Sequence, residues 1–314
     1  MEWRASVERW PIEGAFRTAK VTRHETAVIV VEARSGEARG LGECVPYDGY
    51  GETVESVLAQ LASASTPDQL PPGAARNGME LAAIDLECKR SGRRAHEVLG
   101  CAPFEGCRTA YTIGIDSPEA MEASAARRQE FATLKIKAGP DDAIALAEAV
   151  RRGAPTARLV VDGNESWTLR ALGESAEALA ELGVVAIEQP LPRRADSELR
   201  RGSFPLAVLA DESCHSAADV ARLADRYDGV NLKLGKTGGL RDALAARDRA
   251  ADAGLLVMVG CAVSTSLAIA PALLLASDAF LVDLDGPLLL ARDREPGLTY
   301  EGDRIAPYGP SLWG

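Results

Sequence analysis

The chain of 314 residues lacks any dense cluster of basic residues and carries a net charge of −11. Nothing in it approaches the charge density needed to neutralise a phosphate backbone, which excludes nucleic acid as a partner. It has no run of about 18 apolar residues, which excludes a membrane-spanning helix and a membrane partner. The opening MEWRASVERW is charged throughout and holds no apolar signal core, so a cytoplasmic location is expected. None of the six cysteines (44, 88, 101, 107, 214 and 261) forms a CxxC pair. They read as reduced, buried thiols rather than disulfides or zinc ligands. No G-x-G-x-x-G follows an apolar strand, which argues against an open doubly wound nucleotide-binding sheet.

Apolar residues make up 46% of the chain, enough for a sizeable core and for one large domain plus a small one. Residues 1–106 read as an α+β domain. TAVIVVEAR, the turn SGEARG and LGECV predict a hairpin, and helical patterns run over 52–62 and 74–92, the second ended by Gly92. Two stretches, 11–25 and 46–52, have no periodicity and read as lid loops. From 107 to 292, eight apolar strand candidates (108–115, 133–139, 157–164, 183–189, 206–212, 228–234, 254–260 and 279–285) alternate with Ala-, Glu- and Arg-rich helical segments. Such alternation predicts a parallel sheet, and eight strands predict closure into an α/β barrel of the TIM type, (β/α)7β, with seven helices or a vestigial eighth. The tail, 293–314, is expected to return to the first domain, which caps the barrel.

Asp162, Glu188 and Asp211 each end an apolar strand, and Lys233 ends the next. The intervals between them are each long enough for one strand, one helix and two loops, so all four point into one barrel mouth. One such acid could simply cap a helix; three on consecutive strands suit a hard cation such as Mg2+. Of the three histidines only His215 lies nearby, which disfavours zinc. Asn164 and Glu212, close behind these acids, are expected to steady them. Lys135 and Lys137 alternate on the second strand and share a face. Their mutual repulsion would lower the pKa of at least one, making it a competent base. A substrate carboxylate on the metal would then hold its α-carbon between Lys137 and Lys233, one amine on each face.

The elements LKIK, VDGNESW, IEQPLP, LADES and VNLKLGKTGGL, with GECVPY and YGETVESV before them, run through nearly the whole chain. In that order they resemble the enolase superfamily, in its muconate-lactonising subgroup. The resemblance implies Mg2+, one ion per site, on Asp162, Glu188 and Asp211. It implies acid/base roles for Lys137 and Lys233, with Lys135 assisting and Lys236 not a base. VDLDGP places Asp283 and Asp285 on one face of the eighth strand, and this resembles the dipeptide epimerases, whose Asp-x-Asp binds the free α-amino group of a small dipeptide. Similarity is greatest to the L-Ala-D/L-Glu epimerases of muropeptide recycling. The basic lid residues Arg17, Lys20 and Arg23 would suit an acidic C-terminal side chain. The implied reaction is inversion of the C-terminal α-carbon by 1,1-proton transfer through an enediolate. Two departures from the family pattern stand out: DGN where DAN is common, and GCAVSTS after the seventh strand, where Ala262 enlarges the region and bears on side-chain preference. N-acylamino acid racemase, o-succinylbenzoate synthase and muconate cycloisomerase share the barrel site but do not need two strand-eight carboxylates. A non-catalytic metal-binding barrel is the alternative of another class, and homo-oligomerisation is left open.

Overall fold

The β-rich segments of the first domain pair as the hairpin pattern predicts. The structure, a computed structural model, describes residues 1–18 and 21–314. Strands β1 (Glu2–Arg17), β2 (Thr22–Ser35) and β3 (Ala38–Cys44) form an antiparallel sheet in the order β1-β2-β3. Helix α1 (Val54–Ser63) starts at Thr53, which forms a capping box with Ser56, and α2 (Ala74–Ser91) ends at Gly92 in the left-handed conformation. Ile29, Val31 and Ala33 of β2 meet Met79, Ala82 and Leu86 of α2 in a core of their own. A short helix α3 (Ala95–Leu99) follows.

Of the predicted irregular lid 11–25, residues 11–17 and 22–25 are strand, and Lys20 with residue 19 lies outside the described residues. β1 continues to Arg17 and β2 begins at Thr22, with Phe16 opposite Arg23 and Arg17 opposite Thr22. The ladder is interrupted only between Pro11 and Phe16, where Ile12 bridges to Leu290 of the barrel side. Backbone pairing needs no apolar alternation, so a polar stretch can extend a hairpin while reading as loop. The second predicted lid, 46–52, is a loop around a 3-10 turn at Asp48–Tyr50.

After the two-residue strand β4 (Cys107–Arg108), the chain builds β5 (Tyr111–Ile113), α4 (Pro118–Ala126), β6 (Thr133–Lys137), α5 (Ala143–Gly153), β7 (Arg158–Asp162), α6 (Leu169–Glu181) and β8 (Val184–Glu188). It continues through β9 (Ala207–Ala210), α7 (Val220–Leu223), β10 (Gly229–Leu232), α8 (Leu234–Thr237), α9 (Leu240–Asp252), β11 (Leu256–Gly260), α10 (Ser266–Ala272) and β12 (Leu281–Asp283). β5 to β12 form one parallel sheet in sequence order. Ala110 N–H donates to Val282 C=O at 2.8 Å, drawing its two edges together into a nearly closed barrel. The connection from β8 to β9 carries no helix: Pro190, Pro192 and Pro205 deny it backbone donors. After β12 only a 3-10 turn, Gly286–Leu289, is formed.

In the tail, β13 (Tyr300–Glu301) and β14 (Arg304–Ile305) pair with β4. Trp313 then donates to Leu81 C=O, and Gly314 N–H to Asp85, both on α2. All six cysteines are free thiols. Among the described residues no helix is long and apolar enough to cross a membrane.

Candidate active site

Strand parity decides which side chains enter the barrel mouth. Val160, Ala186, Leu209, Met258 and Leu281 pack together inside the barrel. Two residues beyond Val160, Ala186, Leu209 and Leu281 stand Asp162, Glu188, Asp211 and Asp283. A period of two puts these acids on the same inward side, one layer higher. The residues between them, Val161, Ile187, Ala210 and Val282, belong instead to the core shared with the helices. Register completes the cluster: Lys137 sits opposite Asp162, and Asp162 opposite Glu188. In the sheet, β6 and β10, which carry Lys137 and lead into Lys233, flank β7, β8 and β9, which carry the acids.

The three acids are 0–1% exposed. Ammonium groups link them in series. Lys137 Nζ lies 2.6 Å from Asp162; Lys135 Nζ is 3.2 Å from Asp162 and 2.6 Å from Glu188; Lys233 Nζ is 3.8 Å from Glu188 and 2.6 Å from Asp211. Asn164 Oδ1 accepts from Lys137 at 3.2 Å, and its N–H donates to Asp162 at 3.0 Å. Lys236 donates to the Asp211 carboxylate at 2.5 Å and to the carbonyls of Asp211 and Asn231. Among the described residues no three acids, histidines or cysteines converge at ion-holding distances; the amines take up those contacts.

The charge balance nevertheless fits a cation. Asp162, Glu188, Asp211, Glu212, Asp283 and Asp285 are six buried carboxylates against three buried amines, Lys135, Lys137 and Lys236, and the half-buried Lys233. With all ten groups ionised, the carboxylates exceed the amines by two charges, the charge of one divalent ion. The acids register the deficit. Burial, then the Asp162 charge, pushes Glu188 up to about 7, and burial with Asp211 and Asp162 does the same to Glu212. Glu212 Oε2 also has no hydrogen-bond partner among the described residues. Oxygen-only donors on converging strand ends are the set that Mg2+ takes.

For Lys135 the structure reverses the expected depression. Burial alone would push Lys135 down, but Asp283, Glu188 and Asp162 outweigh it and hold it well above the ordinary value. Asp211 and Glu188 do the same for Lys233. Repulsion from a neighbouring lysine is outweighed by the carboxylates packed around the amine.

Above the cluster lies a cavity of about 260 Å³ lined by Lys135, Lys137, Lys233, Asp283, Asp285 and Glu212 on the barrel side. Asp283 accepts from Lys135 at 2.8 Å and from the Thr112 hydroxyl at 3.2 Å; Asp285 accepts from Thr112 N–H at 2.6 Å. Burial and the Asp283 charge push Asp285 up to about 7. Arg23 lines the mouth and pairs with Asp48 at 2.8 Å. Arg17 does not reach the cavity and pairs with Asp116 at 3.0 Å. Lys20 lies outside the described residues.

Several participants escaped the sequence reading. Asn231 donates to Glu188 at 2.7 Å; its position two before Lys233 on β10 was the available signal. Tyr47 donates to Glu212 at 2.9 Å, and Tyr50 to the Glu212 carbonyl at 3.1 Å. Tyr50 also stacks on His215 (4.4 Å between ring centroids) and carries the Arg193 guanidinium at 4.9 Å. Nothing in the spacing of these residues predicts that the capping loop and barrel meet there. Gly163, the departure noted above, has a local cause: a Cβ there would lie 2.8 Å from Pro190 Cα.

The family model described as Enolase C-terminal domain-like matches residues 119–304. The chain belongs to the enolase superfamily. It is 39% identical over 306 residues to the L-Ala-D/L-Glu epimerase of Escherichia coli, covering 93% of this chain and 95% of that one. It is also 39% identical over 300 residues to the N-acetyl-D-glutamate racemase of a Pseudoalteromonas species, covering 91% and 95%. Among solved structures, an enolase family member from Agrobacterium tumefaciens with homology to dipeptide epimerases, holding sodium and L-Ala-L-Glu, is 44% identical. It superposes with a TM-score of 0.94 over 99% of both chains. A dipeptide epimerase from Enterococcus faecalis, complexed with Mg and L-Leu-L-Tyr, is 26% identical with a TM-score of 0.89, covering 97% and 96%.

Proposed function

We propose that this superfamily member is a Mg2+-dependent dipeptide epimerase that inverts the α-carbon of the C-terminal residue, acting on L-Ala-D/L-Glu in muropeptide recycling. One observation carries the reading: Lys137 and Lys233 stand on strands flanking the three acids, and both open into the cavity that Asp283 and Asp285 line. An amine on each side of a bound α-carbon is the arrangement that inversion requires.

Asp162, Glu188 and Asp211 would hold the Mg2+. When bound, the ion would supply fixed positive charge beside the substrate carboxylate, favouring negative charge there and offsetting the acids that hold Lys233 above the ordinary lysine range. Lys137 and Lys233 move the proton. As a free amine, one takes the α-proton and becomes an ammonium; the other, an ammonium, gives its proton to the opposite face and becomes an amine. The reverse reaction exchanges these roles. Lys135, tied to Asp162, Glu188 and Asp283, is a fixed positive charge beneath the substrate rather than a mobile base. Asp283 and Asp285 bind the ammonium end. Phe16, Thr18, Val21 and Arg23 of the first hairpin and the Tyr47–Tyr50 loop border the cavity and would exclude water.

A second reading, racemisation of N-acylated glutamate, is favoured by the equal identity to the Pseudoalteromonas enzyme. It gives Asp283 and Asp285 no substrate ammonium to bind, and for that reason ranks below the dipeptide reading. The deciding experiment incubates the enzyme with Mg2+ in D2O and, separately, L-Ala-L-Glu, N-acetyl-L-glutamate and a set of neutral dipeptides. Deuterium at the C-terminal α-carbon is followed by NMR. Faster incorporation into L-Ala-L-Glu is expected; preference for N-acetylglutamate would replace the reading with the second one.

A further inference from the structure

Gln189 follows Glu188 and is fully buried, with a φ of +34°, in the region that side-chain-bearing residues rarely enter. From that position it touches all three acid-bearing strand ends. Its carbonyl accepts from Glu165 N–H at 2.8 Å, in the loop after Asp162. Its own N–H donates to Leu209 C=O at 2.8 Å, two residues before Asp211. Its side-chain Oε1 accepts from Asp211 N–H at 2.8 Å and Ser213 N–H at 3.0 Å. Two N–H donors facing Oε1 fix which way the amide points. Its Nε2 is directed at Leu191 C=O, Ser213 Oγ and Tyr227 OH, at 2.7, 3.0 and 3.1 Å. Both of those hydroxyls donate onward to Asp196. The acids themselves take no hydrogen bond from the Gln189 side chain, so its action on them runs through the backbone.

We propose that Gln189 is a positioning residue for the metal site: its left-handed backbone and its Oε1 bond to Asp211 N–H set the separation of Glu188 and Asp211. This rests on the Mg2+ reading above. The Oε1 half of the amide spaces the acids, and the Nε2 half anchors that half to the buried Ser213–Tyr227–Asp196 network. The two halves can be cut separately. Gln189→Met removes both. Gln189→Asn is one methylene too short to reach Asp211 N–H. Gln189→Glu keeps an acceptor for both N–H groups and replaces the NH2 by a carboxyl oxygen facing the Leu191 carbonyl and the two hydroxyls. Tyr227→Phe removes an anchor without touching the strand ends.

Mg2+ binding to the full chain, measured by isothermal titration calorimetry, reads the effect without turnover. Gln189→Met and Gln189→Asn should each weaken Mg2+ by about tenfold or more, the loss typical of residues that orient metal ligands. Their epimerisation should recover at high Mg2+. Gln189→Glu should stay within about threefold of wild type on the same scale. Tyr227→Phe should lower the melting temperature and leave Mg2+ affinity unchanged. Wild-type affinity in Gln189→Asn, or equal losses in Tyr227→Phe and Gln189→Met, would overturn the proposal while leaving the enzyme's function intact. A wild-type chain that takes up no Mg2+ would instead overturn the function reading, and this one with it.

Discussion

The barrel mouth and the lid hold charge in opposite ways. At the mouth, the acids and amines sit at or just beyond strand ends, with Lys236 on α8; they are at most 7% exposed apart from the half-buried Lys233, and have partners at 2.5–3.8 Å. At the lid, Arg17–Asp116 and Arg23–Asp48 are pairs between exposed groups. Buried pairs are unscreened, and removing one partner strands the other; exposed pairs are screened and contribute about 0–1 kcal/mol. On the proposed function, the chemistry stands on buried pairs and substrate choice on exposed pairs that exchange partners at little cost. Mutations should follow that division.

The largest effects belong at the mouth. Lys137→Ala and Lys233→Ala should each reduce epimerisation at least about a thousandfold, within the range for losing a positioned acid or base. Each variant should still exchange the α-proton of one epimer with D2O through the amine that is left. Exchange of both epimers in either variant would end the two-base proposal, and ordinary epimerisation in both would end the site assignment.

Next comes the ammonium clamp. Asp283→Asn with Asp285→Asn should cost L-Ala-L-Glu about tenfold to a hundredfold in kcat/KM, the loss of a charge-assisted hydrogen bond of about 1.5–3 kcal/mol. N-acetyl-L-glutamate should lose far less. Equal losses on both would remove the clamp and favour the racemase reading. Asp283 also accepts from Lys135, so part of the loss common to both substrates reports that pair.

These parts were legible because strand ends in a barrel obey parity. Asp162, Glu188, Asp211, Lys135, Lys137, Asp283 and Asp285 all fall at inward positions that the apolar runs mark out, and the eight strands were recoverable from the same runs. What did not show in the sequence is what depends on contact between distant segments. The amines' raised pKa comes from acids on other strands. The continuation of β1 to Arg17 rests on backbone pairing that leaves no apolar pattern. Tyr50, His215 and Arg193 meet only because the capping domain sits on the barrel. The prolines that remove the helix between β8 and β9 were visible, but the even spacing of the acids masked their effect.

The Tyr50 contact tests the boundary between the two regions. Tyr50→Ala removes a stack on His215, a seat for Arg193 and a hydrogen bond to Glu212. An aromatic pair of about 0.5–1.5 kcal/mol corresponds to roughly threefold to tenfold, expected in KM with kcat changed less. A kcat loss as large as that of Lys233→Ala would mean that this loop belongs to the chemistry and not to the lid.

The smallest effects belong to the hairpin tip, and there the signs carry the information. If Arg23 meets the acidic side chain of the substrate, it must first leave Asp48. Arg23→Ala should then raise KM for L-Ala-L-Glu by about twofold to fivefold, the size of an exposed pair, and leave neutral dipeptides unchanged. Asp48→Asn should act in the opposite direction and lower that KM, because it frees the guanidinium. Added salt should shrink both effects. Arg17→Ala, whose partner Asp116 lies away from the cavity, should do nothing measurable. Changes of the same sign in Arg23→Ala and Asp48→Asn would show that the pair merely holds the hairpin against the 46–52 loop, and the acidic-substrate role of the tip would be lost.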